Sequence, residues 1–191
     1  GGYREEESWP DLTNAYAESE IGATHVTIKD GTFNSAIVGG SAAIVYYGNA
    51  NKGAKTTVGT TNVTIEGGTF NHAIVAGGST RQDNSFVTEA NLSVIAKDKA
   101  LVVKDSIFAG GVRRMDSLGG SGGSVKVDHA TVRVEGVEVQ GGIYGTHAAL
   151  TGTQSTTDSN KISKWNYNPL EIDGAVATVL TDMTLVNVTA Q

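Results

Sequence analysis

The chain has 191 residues, 39% of them hydrophobic, enough for one domain with a core of its own. A formal net charge of −6 with 18% charged residues leaves no basic stripe to neutralise phosphates, which argues against nucleic acid and against an anionic membrane surface as main partners. Cysteine is lacking, which excludes disulfides, thiolate metal sites and cysteine nucleophiles, and no apolar run approaches the roughly 20 residues that insert across a bilayer.

Residues 1–22 read as an opening loop. Within it Asp11, after Trp9 and Pro10, is a candidate N-cap for a short helix over 11–19. Modules begin at Ala23. Residues 25–41 read HVTIKDGTFNSAIVGGS, and residues 62–79 repeat the phrase as NVTIEGGTFNHAIVAGGS. In the second copy Val63 and Ile65 alternate with Thr64, the period-2 mark of a strand buried on one face. Gly67 and Gly68 allow a turn, since glycine reaches positive φ without a Cβ penalty. Phe70, Ile74 and Val75 form a second apolar segment, and Gly77-Gly78 closes the module.

Degraded copies follow. Leu92 and Val94 open a third copy, which Ile107 and Phe108 close with Gly110-Gly111. Val132, Val134 and Gly136 open a fourth. A fifth starts near Thr178 and sets Asp182, Thr184 and Leu185 in the places of Asp30, Thr32 and Phe33. The second glycines of the pairs fall at 2, 40, 78, 111 and 142, in steps of 38, 38, 33 and 31 residues. After each pair comes a variable segment, including a polar loop over 48–59 and the longest insertion at 146–174, before a last partial coil at 175–191. The chain opens on a corner and stops inside a module, so it reads as an excerpt of a longer repeat protein.

Strands set between glycine corners at this period predict a solenoid, in which stacked modules bury together what one module cannot. The expected fold is all-β: a right-handed parallel β-helix of about five coils, with variable loops on one edge. Coils roughly 4.8 Å apart make a rod on the order of 24 Å long. Stacking places Phe70 on Phe33 and Val63 on Val26. A propeller repeats at a similar period, but its blades usually show hairpin turns and frequent aromatics, whereas this chain is only 6% aromatic.

The phrase VTI-x-(G/D)-G-T-F-N-x-A-I-V-x-GG resembles the repeats of right-handed β-helix surface proteins of bacteria, such as autotransporter passengers of the pertactin type and the large Gly-Gly-corner proteins of gut commensals. The likeness is good over 22–145 and weak over 174–191. It implies export, an extracellular or cell-surface location, and a rod that serves adhesion.

For chemistry, Arg81 and Arg113 follow two of the glycine pairs closely, with Asp83 and Asp116 just behind them. Such a mixed-charge strip is where β-helix polysaccharide lyases and hydrolases place acid–base groups. Exposed loop charge explains it as well, and no lyase or hydrolase signature accompanies it. Trp165 and Tyr167, in the longest insertion, are the best candidates for stacking on a sugar, although aromatics also cap loops. Glu66, Glu135, Asp30 and Asp182 read as corner carboxylates, either solvated turn residues or ligands for Ca²⁺. The four histidines (25, 72, 129 and 147) show no zinc spacing and read as surface or strand residues. Ser121 in GGSGG lacks the strand and helix of a nucleophile elbow. The sequons at Asn62, Asn91 and Asn187 read as strand positions. No metal and no cofactor are expected. The expected role is structural and adhesive, with a glycan or host-surface ligand bound by Arg81, Arg113, Trp165 and Tyr167. A carbohydrate-active enzyme using Arg81, Asp83, Arg113 and Asp116, and end-to-end self-association through open strand edges, are the alternatives.

Overall fold

A computed structural model describes residues 3–7, 18–40, 42–46, 55–80, 84–114, 124–146, 148–150, 167–168 and 176–191. Strand β1 (Tyr3–Glu7) comes first. One pass of chain then gives β2 (Glu18–Ile28), β3 (Thr32–Phe33), β4 (Ile37–Val38) and β5 (Ala42–Tyr46). The second pass repeats it as β6 (Lys55–Ile65), β7 (Gly68–Phe70), β8 (Ile74–Val75) and β9 (Ser79–Thr80). The third gives β10 (Asn84–Ile95), β11 (Leu101–Val103), β12 (Ile107–Phe108) and β13 (Val112–Arg114). The fourth gives β14 (Val125–Glu135), β15 (Glu138–Val139), β16 (Ile143–Tyr144) and β17 (Ala148–Leu150), and β18 (Tyr167–Asn168) and β19 (Val176–Val186) complete the order. No helix occurs among the described residues, and Glu18 and Ser19, at the end of the expected helix, already belong to β2.

Each pass adds one strand to each sheet. The long strands pair in the order β2-β6-β10-β14-β19, and the short ones as β3-β7-β11-β15, β4-β8-β12-β16 and β1-β5-β9-β13-β17-β18. All pairings are parallel except β17 with β18. The backbone groups of one pass are therefore satisfied by the passes on either side, and the arrangement is of the β-solenoid kind.

Like residues share columns in the interior. Phe33 and Phe70 stack with ring centres 5.0 Å apart and planes 4° from parallel, and Val103 and Val139 extend their column. Ile37, Ile74, Ile107 and Ile143 form another column. Its inner members Ile74 and Ile107 are fully buried in the main core, with Val63, Ile65, Leu92, Val94, Val132 and Val134. The next residue along each of these strands points the other way. Val75 and Phe108 thus join Val112 and Ala73 in a second, smaller core, against which Val38 and Tyr144 pack. Burial is deepest in the middle passes: Val26 is 38% exposed, while its neighbour Val63 is 3% exposed.

The long strands break strict alternation once, all at the same register. In β6 the buried positions are Thr56, Val58, Thr61, Val63 and Ile65, so Gly59 and Thr60 both face away from the core. Thr88 with Glu89 and Asp128 with His129 repeat this in β10 and β14. Because every strand creases together, pairing resumes in register on the far side of the crease. Lys55–Gly59, expected as polar loop, form the first half of this creased strand.

Register corrects two of the sequence-based assignments. The shift between the first two passes is 37 residues on both sides of the Gly-Gly corner (Ile37 with Ile74, Ala42 with Ser79). Gly40 therefore lies opposite Gly77, and its N–H donates to the Gly77 carbonyl at 2.9 Å. In the fourth pass the counterpart of Gly110 is Thr146, whose carbonyl accepts from Gly110 N–H at 2.9 Å. Gly141 and Gly142 sit one corner earlier, opposite Asp105 and Ser106, so they do not close a module. In the last pass Asp182 pairs with Thr131 and Leu185 with Val134, which puts Leu185 in the column of Ile65 and not of Phe70. Asp182 is therefore inside the long strand and is not a corner residue.

Candidate functional site

The variable segments leave from neighbouring strand ends. Residues 81–83 join β9 to β10, 115–124 join β13 to β14, and 151–175 separate β17 from β19, carrying β18. Arg113 pairs with Thr80 and with Ala149. At the far ends Ser85 pairs with Val125, and Val125 with Val176. So the connections bearing the expected ligand contacts depart side by side from one sheet and arrive side by side in another. Arg81, Asp83, Asp116 and Trp165 lie outside the described residues. Arg113 is in β13, and Tyr167 is in β18, paired antiparallel with Leu150. Ser121 and His147 also fall outside the described residues.

Two polar constellations on the described surface were not anticipated. The first is a corner clamp. Where the second pass has two residues (66–67) between the Ile65 and Gly68 positions, the third has six (95–100) between their partners Val94 and Leu101. This longer corner folds back over its predecessors. Lys97 N–H donates to the Glu66 carbonyl at 3.1 Å, and Ala100 O accepts from Gly68 N–H at 3.0 Å. Lys97 Nζ pairs with the Glu66 carboxylate, and Lys99 Nζ reaches Asp30 Oδ2, two passes away, at 2.6 Å. The Lys99 hydrogen bond and then the Gly31 N–H hold the Asp30 carboxyl below its usual range, and Asp30 raises Lys99 in turn. A shallow open depression forms beside the clamp, lined by Asp30, Thr32, Thr69 and Lys99 over the backbone of Gly31, Gly68 and Ala100. It offers hydroxyl, ammonium and carboxylate groups to a polar ligand.

The second lies on the outer face of the creased sheet. Asn91 Nδ2 donates to Asn62 Oδ1 at 3.2 Å, an amide step between passes, and Asn71 makes a like contact to Asn34 at 2.7 Å just past the ends of β7 and β3. Farther along, His129 stands between Glu89 and Asp182. The 40-residue shift that pairs Glu89 with His129 was the signal that sequence counting lacked, because it differs from the 37 of the first two passes.

The remaining expected residues sort by position. Glu66, Asp30, Glu135 and Asp182 are each engaged by a different basic side chain: Lys97, Lys99, Arg133 and His129. Asp30, Glu66 and Glu135 share the corner at the end of the long strands, whereas Asp182 lies inside β19, and no group of three or more side chains suited to a metal occurs among the described residues. His72 is buried, not superficial, and its Nδ1 accepts from Ala73 N–H at 2.9 Å. Asp105, its partner in the next pass, caps Ser106 N–H in the same way at 2.8 Å. Asn62 and Asn91 lie in strands, whereas Asn187 follows β19 in a left-handed turn, φ 50°.

Comparison with protein-family models, with curated proteins and with solved structures finds no match to this chain.

Proposed function

We propose that this chain is a segment of a right-handed parallel β-helix, about five coils long, in a secreted or cell-surface bacterial protein. It acts as a stiff spacer whose edge loops bind a glycan or another cell-surface ligand. One observation carries the reading. Between the six-stranded and five-stranded sheets the connection changes from 3 residues (81–83) to 25 (151–175), yet the strands on both sides stay stacked. A rigid ladder that tolerates such variation along a single edge is how a scaffold presents recognition loops. Arg81, Arg113, Trp165 and Tyr167 are the residues assigned to contact, by charge-assisted hydrogen bonds and by stacking on sugar rings. No catalytic group is assigned.

The test is a glycan and matrix-protein array probed with the whole chain. Binding that is lost in Trp165→Ala with Tyr167→Ala, while the far-ultraviolet spectrum is unchanged, supports the proposal. Turnover of a polysaccharide that disappears in Asp83→Ala with Asp116→Ala overturns it in favour of an enzyme.

A further inference from the structure

Strands β10, β14 and β19 lie side by side and set Glu89, His129 and Leu180 in one row, with Asp182 two residues beyond Leu180. His129 is the second outward residue of the crease in β14. Its Nδ1 is 3.0 Å from Glu89 Oε2, and its Nε2 is 2.8 Å from Asp182 Oδ2. A neutral imidazole has one N–H and one lone pair, whereas an imidazolium has two N–H groups. Ionised carboxylates only accept. Both contacts are therefore hydrogen bonds at once only when the ring is protonated; in the neutral ring one nitrogen lone pair faces a carboxylate oxygen.

The charges around the ring agree. Glu89 faces it from β10 and Asp182 from β19, both anionic. On β14 itself Lys126 pairs with Asp128, and Arg133 with Glu135. The hydrogen bond to Asp182 is the main cause that raises His129 above the ordinary histidine range; partial burial opposes it, and Glu89 adds to it.

We propose that Glu89, His129 and Asp182 form an acid-tightened clasp that fastens β19 to the stack across β14 and β10. β19 and β2 are the two edge strands of this sheet, and β19, which pairs with β14 alone, is the edge that the clasp holds. The sign follows from linkage. A group whose folded pKa lies above its unfolded value of about 6.5 stabilises fully below that value and loses its contribution as pH rises through the folded one. The clasp is closed below about pH 6.5 and opens as pH rises through the raised value that His129 has in the folded chain.

The experiment is NMR on the whole chain. The Cε1 proton of His129 should titrate at higher pH in the parent than in Glu89→Gln with Asp182→Asn. Amide exchange in β19, corrected for its intrinsic pH dependence, should lose roughly two- to fivefold in protection as pH rises through that midpoint, the scale of exposed ion pairs. His129→Gln keeps one donor and one acceptor at every pH and should abolish this dependence without unfolding the chain. The proposal fails if His129 titrates alike in parent and double variant, or if β19 shows the same pH dependence in His129→Gln.

Discussion

Thr56 is 1% exposed, and its hydroxyl has no hydrogen-bond partner. A buried hydroxyl without a partner costs about 1–3 kcal/mol. The column that Thr56 belongs to takes Val125 and Val176 in later passes, so the site itself accepts a branched apolar side chain. Thr56→Val is expected to stabilise the chain by about 1 kcal/mol, read as a higher urea midpoint with an unchanged slope. Thr61 is the contrast. Its hydroxyl donates to the Ala76 carbonyl at 3.1 Å, and Thr24 makes the equivalent bond to Gly39, so Thr61→Val should destabilise. Glycines divide in a similar way. Of the pair Gly67-Gly68, only Gly68 has positive φ, 116°, and a Cβ there would meet the Gly31 carbonyl at 2.7 Å. Gly68→Ala combines a forbidden dihedral with a backbone clash and should cost about 1–3 kcal/mol by the same measurement. Gly77, in contrast, has no positive φ; a Cβ there would meet Val127 Cγ2 at 2.5 Å and the Gly110 carbonyl of the next pass at 2.9 Å, so it is glycine because the chain packs closely against it. Sequence letters alone mark all four glycines alike, and only dihedrals and neighbours separate the two reasons.

The elements that sequence reads well are those whose side chains form columns. Val63, Ile65, Phe70, Ile74 and Val75 have period and composition that point to one inward face, and the strands lie where those residues are. The errors arose at corners, where no buried column fixes the count. Gly141-Gly142 resembled a closing pair, yet the pairing of half-buried Ile143 with Ile107 sets the register there and moves the counterpart of Gly110 to Thr146. Asp182 was displaced for the same reason: Met183 and Leu185 stack by position on Val132 and Val134, and the surface residue follows them. The crease was not legible either, because two adjacent outward residues such as Asp128 and His129 look like the end of a strand. The clamp corner shows what a tolerated insertion does. Its lysines close over carboxylates of earlier passes, in contacts exposed to solvent. The Asp30 carboxyl, held below its usual 3.8 by Lys99, contributes stability above that value and loses it as pH falls through its lower folded one. In Lys99→Met the Asp30 carboxyl carbon should titrate closer to 3.8 by NMR, with little change in the urea midpoint at pH 7, as suits an exposed pair.

At the scale of the molecule, stability comes from neighbour-to-neighbour stacking, so what matters for an inserted segment is whether it interrupts a column. The connections at 47–54, 81–83, 115–124 and 151–175 all lie between the ends of sheet strands, whereas the Gly110-Gly111 corner is a two-residue step between buried residues. There Ala109 and Val112 are fully buried on either side, and a Cβ on Gly110 would meet the Thr146 backbone at 3.0 Å. Two insertions of the same eight-residue Gly/Ser segment therefore have opposite expected outcomes. Placed between Gly119 and Gly120, it roughly doubles a connection, and loop closure predicts a loss of only about 0.6 kcal/mol. Placed between Gly110 and Gly111, it separates Ala109 from Val112 and pulls β12 and β13 out of register with both neighbouring passes. The chain should then lose most of its cooperative unfolding transition. Equal damage from the two insertions, measured by urea denaturation, would mean that the variable edge is part of the structural ladder, and a scaffold with interchangeable loops would no longer describe this protein.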